Sequence, residues 1–229
     1  MKRIIGALGL VAPPAAALAV LVAGRLTPGY DPLARTISRL AEPGLPAAFL
    51  AELAIAVVGI ALIALALGLG PGSRAGRALL AVAAVGLLAA SAIRLDPASA
   101  SATAEHRLAT IVALLALTGA PFAFAFSLRR RTGWVAYGPV SFVFGAAEVG
   151  VLLVGVALLL TNFAEWGAWE RTFLALPMGW IVVMSARLLS ARKIEPMSSS
   201  TVESKSWASN VSVDETMKAA AVNQSSTGS

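Results

Sequence analysis

The chain has 229 residues, of which 58% are apolar and 13% are charged. This number of charged side chains is too small to cover the surface of a water-soluble domain. The composition therefore excludes an ordinary soluble protein and indicates an integral membrane protein. The net charge is +6, which in a soluble protein would suggest a nucleic-acid partner, but basic loops beside apolar segments explain it and we expect none.

Six apolar runs are long enough to form membrane-spanning helices. A helix that rises about 1.5 Å per residue needs about 20 residues to cross a hydrocarbon layer of about 30 Å. The runs lack the alternating pattern of outer-membrane strands, so they predict an all-α integral membrane bundle of six transmembrane helices. In chain order they are Ile4 to Ala23, Pro46 to Gly68, Ala78 to Ile93, Leu108 to Leu128, Val135 to Leu160 and Thr172 to Leu189.

The basic residues predict the orientation of this bundle. Those in the loops after the second and fourth runs, together with those at the two ends, outnumber the arginines on the opposite side, where acidic residues balance them. The positive-inside rule then predicts a multi-pass protein of the cell (cytoplasmic) membrane with both termini in the cytoplasm. The loop residues are Arg74, Arg77, Arg129, Arg130 and Arg131.

A polar segment, RLTPGYDPLARTISRLAEPG, follows the first apolar run. Asp31 before Pro32 is typical of a helix start, and Leu33, Ile37 and Leu40 recur on one side of the helix that would follow. We therefore expect a short amphipathic helix, Asp31 to Ala41, on the outer membrane surface. It should pack over the outer ends of the third, fourth and sixth helices and cover a cavity lined mainly by apolar side chains.

The same segment carries a family resemblance. Its residues Pro28, Gly29, Tyr30, Pro32, Ile37, Ser38 and Leu40 match the first outer loop of the prokaryotic membrane proteins known as domain of unknown function 998. Two further features are similar to that family: His106 at the start of the fourth run, and Glu170 and Arg171 before the sixth, followed by Pro177 and Trp180. The resemblance covers roughly residues 1 to 190. It implies a six-helix membrane protein and no particular reaction.

Several polar side chains are expected at the outer ends of the helices, close enough in depth to share one ligand-binding site. A histidine could transfer protons, carboxylates could act as bases, and arginines could bind a phosphate or carboxylate. Ser38, His106 and Asp96 could form the Ser-His-Asp triad of a hydrolase, but no nucleophile motif accompanies them. Structural ion pairs and helix-dipole contacts would produce the same pattern. The candidates are Asp31, Ser38, Arg39, Asp96, His106, Arg107, Glu170 and Arg171.

Two carboxylates lie within the apolar runs. Glu52 is close enough to the end of its helix to reach interfacial water, whereas Glu148 lies near the middle of the fifth run. A charge at mid-bilayer costs at least about 2.5 kcal/mol, so Glu148 should face the bundle interior, either protonated or paired. It could couple protons or bind a ligand, or it could be a structural carboxylic acid. With no cysteine and one histidine, we expect no metal site and no cofactor.

The chain divides into a six-helix transmembrane domain, 1–193, and a polar, serine-rich segment, 194–229, expected to be a disordered cytoplasmic tail. The pattern assigns no reaction, leaves the oligomeric state open and favours a non-enzymatic role. The first hypothesis is a protein that binds membrane lipids or a small amphiphile in an extracytoplasmic pocket, or an accessory subunit. The alternatives are a small proton-coupled transporter that uses Glu148, and a membrane-interface enzyme that acts on lipids.

Overall fold

The computed structural model describes residues 2–70 and 72–190, and these residues form helices and loops without a strand. All six long helices are apolar enough to cross a membrane. The chain is therefore an all-α, multi-pass membrane protein, as predicted. The predicted tail, 194–229, lies outside the described residues. The helices are α1 (Lys2–Leu26), α2 (Ala48–Gly68), α3 (Arg74–Ala92), α4 (Ala100–Leu128), α5 (Tyr137–Leu158) and α6 (Trp166–Ser190).

Helices that follow one another in the chain pack side by side, and α6 closes the ring by packing against α1. The connections after α2, α3, α4 and α5 are short, and residues 27–47 return the chain to the end of the bundle where α1 finishes, so neighbouring helices are antiparallel. We call the end that carries residues 27–47, 93–99 and 159–165 the capped end, because residues 27–47, the capping segment, contact α1, α2 and α6 there. We call the opposite end the basic end. It carries the connections before α3 and α5, together with Arg74 and Arg77 in the first turn of α3 and Arg129, Arg130 and Arg131 after α4.

Large apolar side chains fill the centre of the bundle. Phe124, Trp180 and Ile181 are almost fully buried, together with leucines from α2, α3 and α4. The Trp180 indole N–H donates a hydrogen bond of 2.9 Å to the Ser141 hydroxyl, so the buried polar atom of Trp180 has a partner. This core joins α1, α2, α3, α4 and α6, whereas α5 lies at the periphery and is the least buried of the six helices.

Helices α1 and α6 are in close contact near the basic end. A side chain at Gly9 would overlap the hydroxyl of Ser185, so only glycine allows this approach. Pro13 and Pro14 follow just over one turn later, and the helix continues through them. Since proline cannot donate the internal hydrogen bond, α1 lacks two such bonds at this level.

Helices α4 and α6 begin six or more residues before the apolar runs that predicted them. Helix α4 starts at Ala100 and α6 at Trp166, but charged side chains within their first two turns, such as Glu105 and Glu170, interrupt the apolar pattern there. The Ser99 hydroxyl caps α4 by accepting a hydrogen bond of 3.3 Å from the amide of Ala102. His106 and Glu170 consequently lie inside helices, one turn or more from their starts.

The capping segment differs from the amphipathic helix expected over Asp31 to Ala41. Turns occupy residues 32–35, and a five-residue 3₁₀ helix, Ile37–Ala41, follows. Leu40 is fully buried against α1 and α2, whereas Leu33 is 58% exposed. The expected packing on α3 and α4 is therefore wrong: the apolar residues of the segment rest on α1 and α2, and its backbone is bonded to α6.

Candidate functional site

Arg171 joins the capping segment to α6. Its Nη1 donates to the carbonyl oxygens of Pro32 (2.7 Å) and Arg35 (3.1 Å), and its Nη2 donates to the Tyr30 hydroxyl (2.6 Å). A third Nη1 contact, 2.9 Å, goes to the carbonyl of Gly167 within α6. The guanidinium thus bonds backbone carbonyls of a loop, which is a structural use of this arginine.

Three neighbours of Arg171 complete the attachment. Glu170 Oε2 accepts a hydrogen bond of 2.5 Å from the amide of Ile37, and the amide of Ala168 donates to the carbonyl of Leu33 at 2.9 Å. A Cβ at Gly167 would lie 2.5 Å from the Pro32 carbonyl oxygen and would also overlap that of Arg35. Gly167 is therefore required for the segment to approach α6 this closely.

Tyr30 is the centre of the segment's own contacts. Its hydroxyl donates to the carbonyl of Arg35 or Thr36, at 3.0 and 3.1 Å, while it accepts from Arg171. Burial raises the pKa of the Tyr30 phenol, although the adjacent Arg171 acts in the opposite direction. Gly29, just before it, has a φ of +69°, which favours glycine. The family-like residues at 28–40 and 170–171 thus form one interlocked unit.

The side chains of Ser38, His106 and Asp96 do not form a catalytic triad. Asp96 Oδ1 accepts from the amide of Ala98 at 2.9 Å, which makes it a turn residue, and Asp31 Oδ1 holds the amide of Leu33 in the same way at 2.8 Å. His106 Nδ1 lies 2.7 Å from the carbonyl oxygen of Ile93 rather than near a carboxylate. In the described part of the chain its Nε2 has no hydrogen-bond partner, so Ser38 does not bond it.

A polar cavity of about 820 Å³ lies between the capping segment, α4 and α6. Of the sequence-predicted residues it brings together Ser38, Arg39, His106, Arg107 and Glu170. It does not include Asp31 or Asp96, which serve turns, or Arg171, which lies on the other side of the segment. Arg39 is paired with Glu42 at 2.6 Å.

A second, larger cavity of about 990 Å³ lies beneath the capping segment on the side of α1. Apolar side chains of α1, α2, α3, α4 and α6 line it, including Leu87 and Leu117 of the bundle interior. Polar groups occur among its lining at one end, where Arg25, Tyr30 and Arg171 lie. A mostly apolar cavity with a few polar groups is the usual form of a small-molecule site.

This apolar cavity opens on the membrane-facing surface of the bundle. Its lining includes Leu21 on α1 and Ala175 on α6, both of which are exposed. Along α1 it extends from Leu10 to Gly24, about 21 Å at the rise of an α-helix. One leaflet contributes about 15 Å of hydrocarbon. The cavity is therefore deep enough to hold an extended acyl chain.

The two carboxylates within the apolar runs have different surroundings. Glu52 forms an ion pair with Arg94, with Oε1 and Nε 2.5 Å apart, so it links α2 to the connection before α4. Glu148 is fully buried, and among the described residues neither carboxylate oxygen has a hydrogen-bond partner. It lines neither of the two cavities. Within residues 2–70 and 72–190, no three His, Asp or Glu side chains cluster as a metal site would require.

Sequence reasoning missed Gly167, Tyr30 and Arg25 as parts of these sites. Tyr30 stood in the family-like motif, and that was its only signal. Gly167 has no signal, because its importance comes from two carbonyls more than 130 positions away in the chain. Arg25 is found only once the cavity is seen.

Comparison with known proteins gives a family match that covers the capping segment and the helices together. No curated protein and no solved structure matches the chain significantly. One family model matches residues 10–187, which contain most of α1, the capping segment and the other five helices up to Arg187. The chain therefore belongs to the family described as protein of unknown function (DUF998).

Proposed function

We propose that this membrane protein binds a lipid or small amphiphile in the apolar cavity. The observation that carries the proposal is the cavity itself, which is about 990 Å³ in volume, opens between α1 and α6 and has polar groups at its capped end. An acyl chain would lie along α1 and α6. The head group would lie near Arg25, Tyr30 and Arg171.

The charges at the capped end favour an anionic head group. Arg25 is exposed at the cavity, and no carboxylate of the described chain pairs with it. The donors of Arg171 are directed to neutral carbonyl and hydroxyl oxygens, so its charge is not neutralised by direct pairing. With the basic end in the cytoplasm, as the arginines favour, this head group would lie at the extracytoplasmic side.

The two alternative functions have less support. A proton-coupled transporter would need Glu148 to reach a water-filled path, and Glu148 lines neither cavity. A membrane-interface enzyme would need Ser38 activated by His106 or an equivalent pair, and these two side chains are not hydrogen-bonded. Binding requires only the cavity and its polar end.

Lipid retention by two matched variants tests the proposal. In Ala175→Phe a ring would occupy the cavity mouth, whereas Ala147→Phe places the same ring on the exposed face of α5, away from both cavities. After extensive washing in detergent, native mass spectrometry should find that Ala175→Phe retains one amphiphile per chain fewer than the wild type and Ala147→Phe. Equal retention by both variants, or no retention by the wild type, would contradict the proposal.

A further inference from the structure

The polar cavity is separate from the apolar one and is formed by different side chains. The capping segment divides them: Thr36 and Ser38 line the polar cavity, whereas Ile37 between them lines the apolar cavity. A ligand of the polar cavity would therefore contact α4 and the far side of the segment. Its binding would not depend on an amphiphile in the apolar cavity.

Two arginines of the polar cavity are available to an anion. Arg35 and Arg107 are exposed, and neither pairs with a carboxylate in the described residues, in contrast to Arg39, which pairs with Glu42 at 2.6 Å. Guanidinium groups bind phosphate and carboxylate oxygens through paired N–H donors. A phosphate supplies more acceptor oxygens and more negative charge than a carboxylate, so it is the better match to two arginines.

His106 contributes a hydrogen-bond acceptor, whereas the arginines contribute donors. It is 1% exposed, lines the cavity, and has an Nε2 without a partner in the described chain. Because the Ile93 carbonyl can only accept, Nδ1 carries the proton of the 2.7 Å bond, and Nε2 of the neutral ring is an acceptor. A buried acceptor without a partner is unusual in a folded protein. A ligand hydroxyl would satisfy it.

Glu170 restricts where a phosphate could lie. Its Oε2 accepts the amide of Ile37, and the carboxylate also lines the polar cavity. A carboxylate repels a phosphate but accepts a hydrogen bond from a hydroxyl. The phosphate should therefore lie toward Arg35 and Arg107, with hydroxyl groups toward His106 and Glu170.

We propose that the polar cavity binds a phosphate ester that carries a free hydroxyl group. Its volume of about 820 Å³ is within the range of ligand sites, about 300–1,000 Å³. A soluble glycerol phosphate and the head group of a phosphatidylglycerol lipid share this chemistry. The test therefore has one arm for each source.

The soluble arm measures binding of glycerol 3-phosphate and inorganic phosphate to the detergent-solubilised full chain by calorimetry. The lipid arm measures retention of phosphatidylglycerol against phosphatidic acid in nanodiscs by native mass spectrometry. Arg107→Gln should weaken binding about tenfold or more, as expected for a lost charge-assisted hydrogen bond. Arg74→Gln, the same change on an exposed arginine at the basic end, should have no effect.

His106→Asn tests the hydroxyl. The asparagine amide can still donate to the Ile93 carbonyl, so the melting temperature should be kept, but the Nε2 acceptor is gone. The wild type should prefer the hydroxyl-bearing member of each ligand pair, and His106→Asn should bind both members equally. The proposal is overturned if neither arm detects binding, if Arg107→Gln weakens binding no more than Arg74→Gln, or if His106→Asn keeps the preference.

Discussion

Gly167→Ala should release the capping segment from α6, although alanine is the better helix former. A Cβ at Gly167 would lie 2.5 Å from the Pro32 carbonyl oxygen and closer still to that of Arg35, where ordinary contacts begin at 3.4 Å, so the segment must move by at least about 0.9 Å. That shift takes the bond from Ala168 to Leu33, 2.9 Å long, and the bond from Arg171 to Pro32, 2.7 Å long, beyond hydrogen-bonding distance.

The expected size of the effect follows from those two bonds. A neutral hydrogen bond contributes about 1 kcal/mol and one to a charged group about 1.5–3 kcal/mol. Alanine returns about 1 kcal/mol through helix propensity. The free energy that holds the segment against α6 should therefore fall by about 1.5–3 kcal/mol, so amides of residues 27–42 should exchange roughly 10- to 150-fold faster.

Hydrogen–deuterium exchange with mass spectrometry in nanodiscs measures this directly. Gly150→Ala is the matched control, because a Cβ at this exposed position of α5 meets nothing within 4 Å. The control should exchange residues 27–42 at the wild-type rate. If Gly167→Ala also exchanged at that rate, the close contact between α6 and the segment would not be what holds the segment in place.

Three further predictions concern charge and topology. Glu148 is fully buried without an ion pair in the described chain, so Glu148→Gln should elute as a folded monodisperse protein and Glu148→Lys should not; equal loss in both would require a charged partner for Glu148. A cysteine at Gly72 on the basic end should escape an impermeant maleimide in intact cells, and one at Thr161 on the capped end should react, whereas the reverse would invert the topology. Burial raises the pKa of the Tyr30 phenol above 10.0. From about pH 10 upward, the phenol therefore keeps its proton more readily when the capping segment is packed against α6 than when the segment is detached. Attachment of the segment should weaken as the pH rises above about 10. An ultraviolet titration should show a tyrosine that ionises at unusually high pH in the wild type and not in Tyr30→Phe. Identical titrations would refute this prediction.

The number, order and core extents of the helices follow from the sequence, because the requirement for about 20 apolar residues per crossing is local. The first turns of α4 and α6 do not, since residues such as Glu105 and Glu170 are polar and extend beyond the apolar runs. Only the capping serine, Ser99, was a local signal for the true start of α4. The placement of His106 and Glu170 inside helices was missed for this reason.

The capping segment shows why the expected amphipathic helix is absent. In an α-helix the amide of Ile37 would bond to the carbonyl of Leu33. Here Glu170 takes that amide and Ala168 donates to that carbonyl, so both groups are satisfied by α6. Apolar spacing in residues 31–41 could not reveal partners more than 130 residues later in the chain. The site candidates Glu170 and Arg171 lie near the segment because they bond its backbone. No local sequence pattern indicates this role.

Photoaffinity labelling tests the central claim, occupancy of the apolar cavity, most directly. The protein would be reconstituted with a phospholipid that carries a diazirine on its acyl chain, irradiated and digested. Cross-links should concentrate on residues 10–25 of α1 and 171–182 of α6, well above those on exposed residues of α5 such as Val143 and Val154. Labelling of α1 and α6 no stronger than that of α5 would mean that lipid contacts the whole bundle surface equally and that the cavity holds no amphiphile.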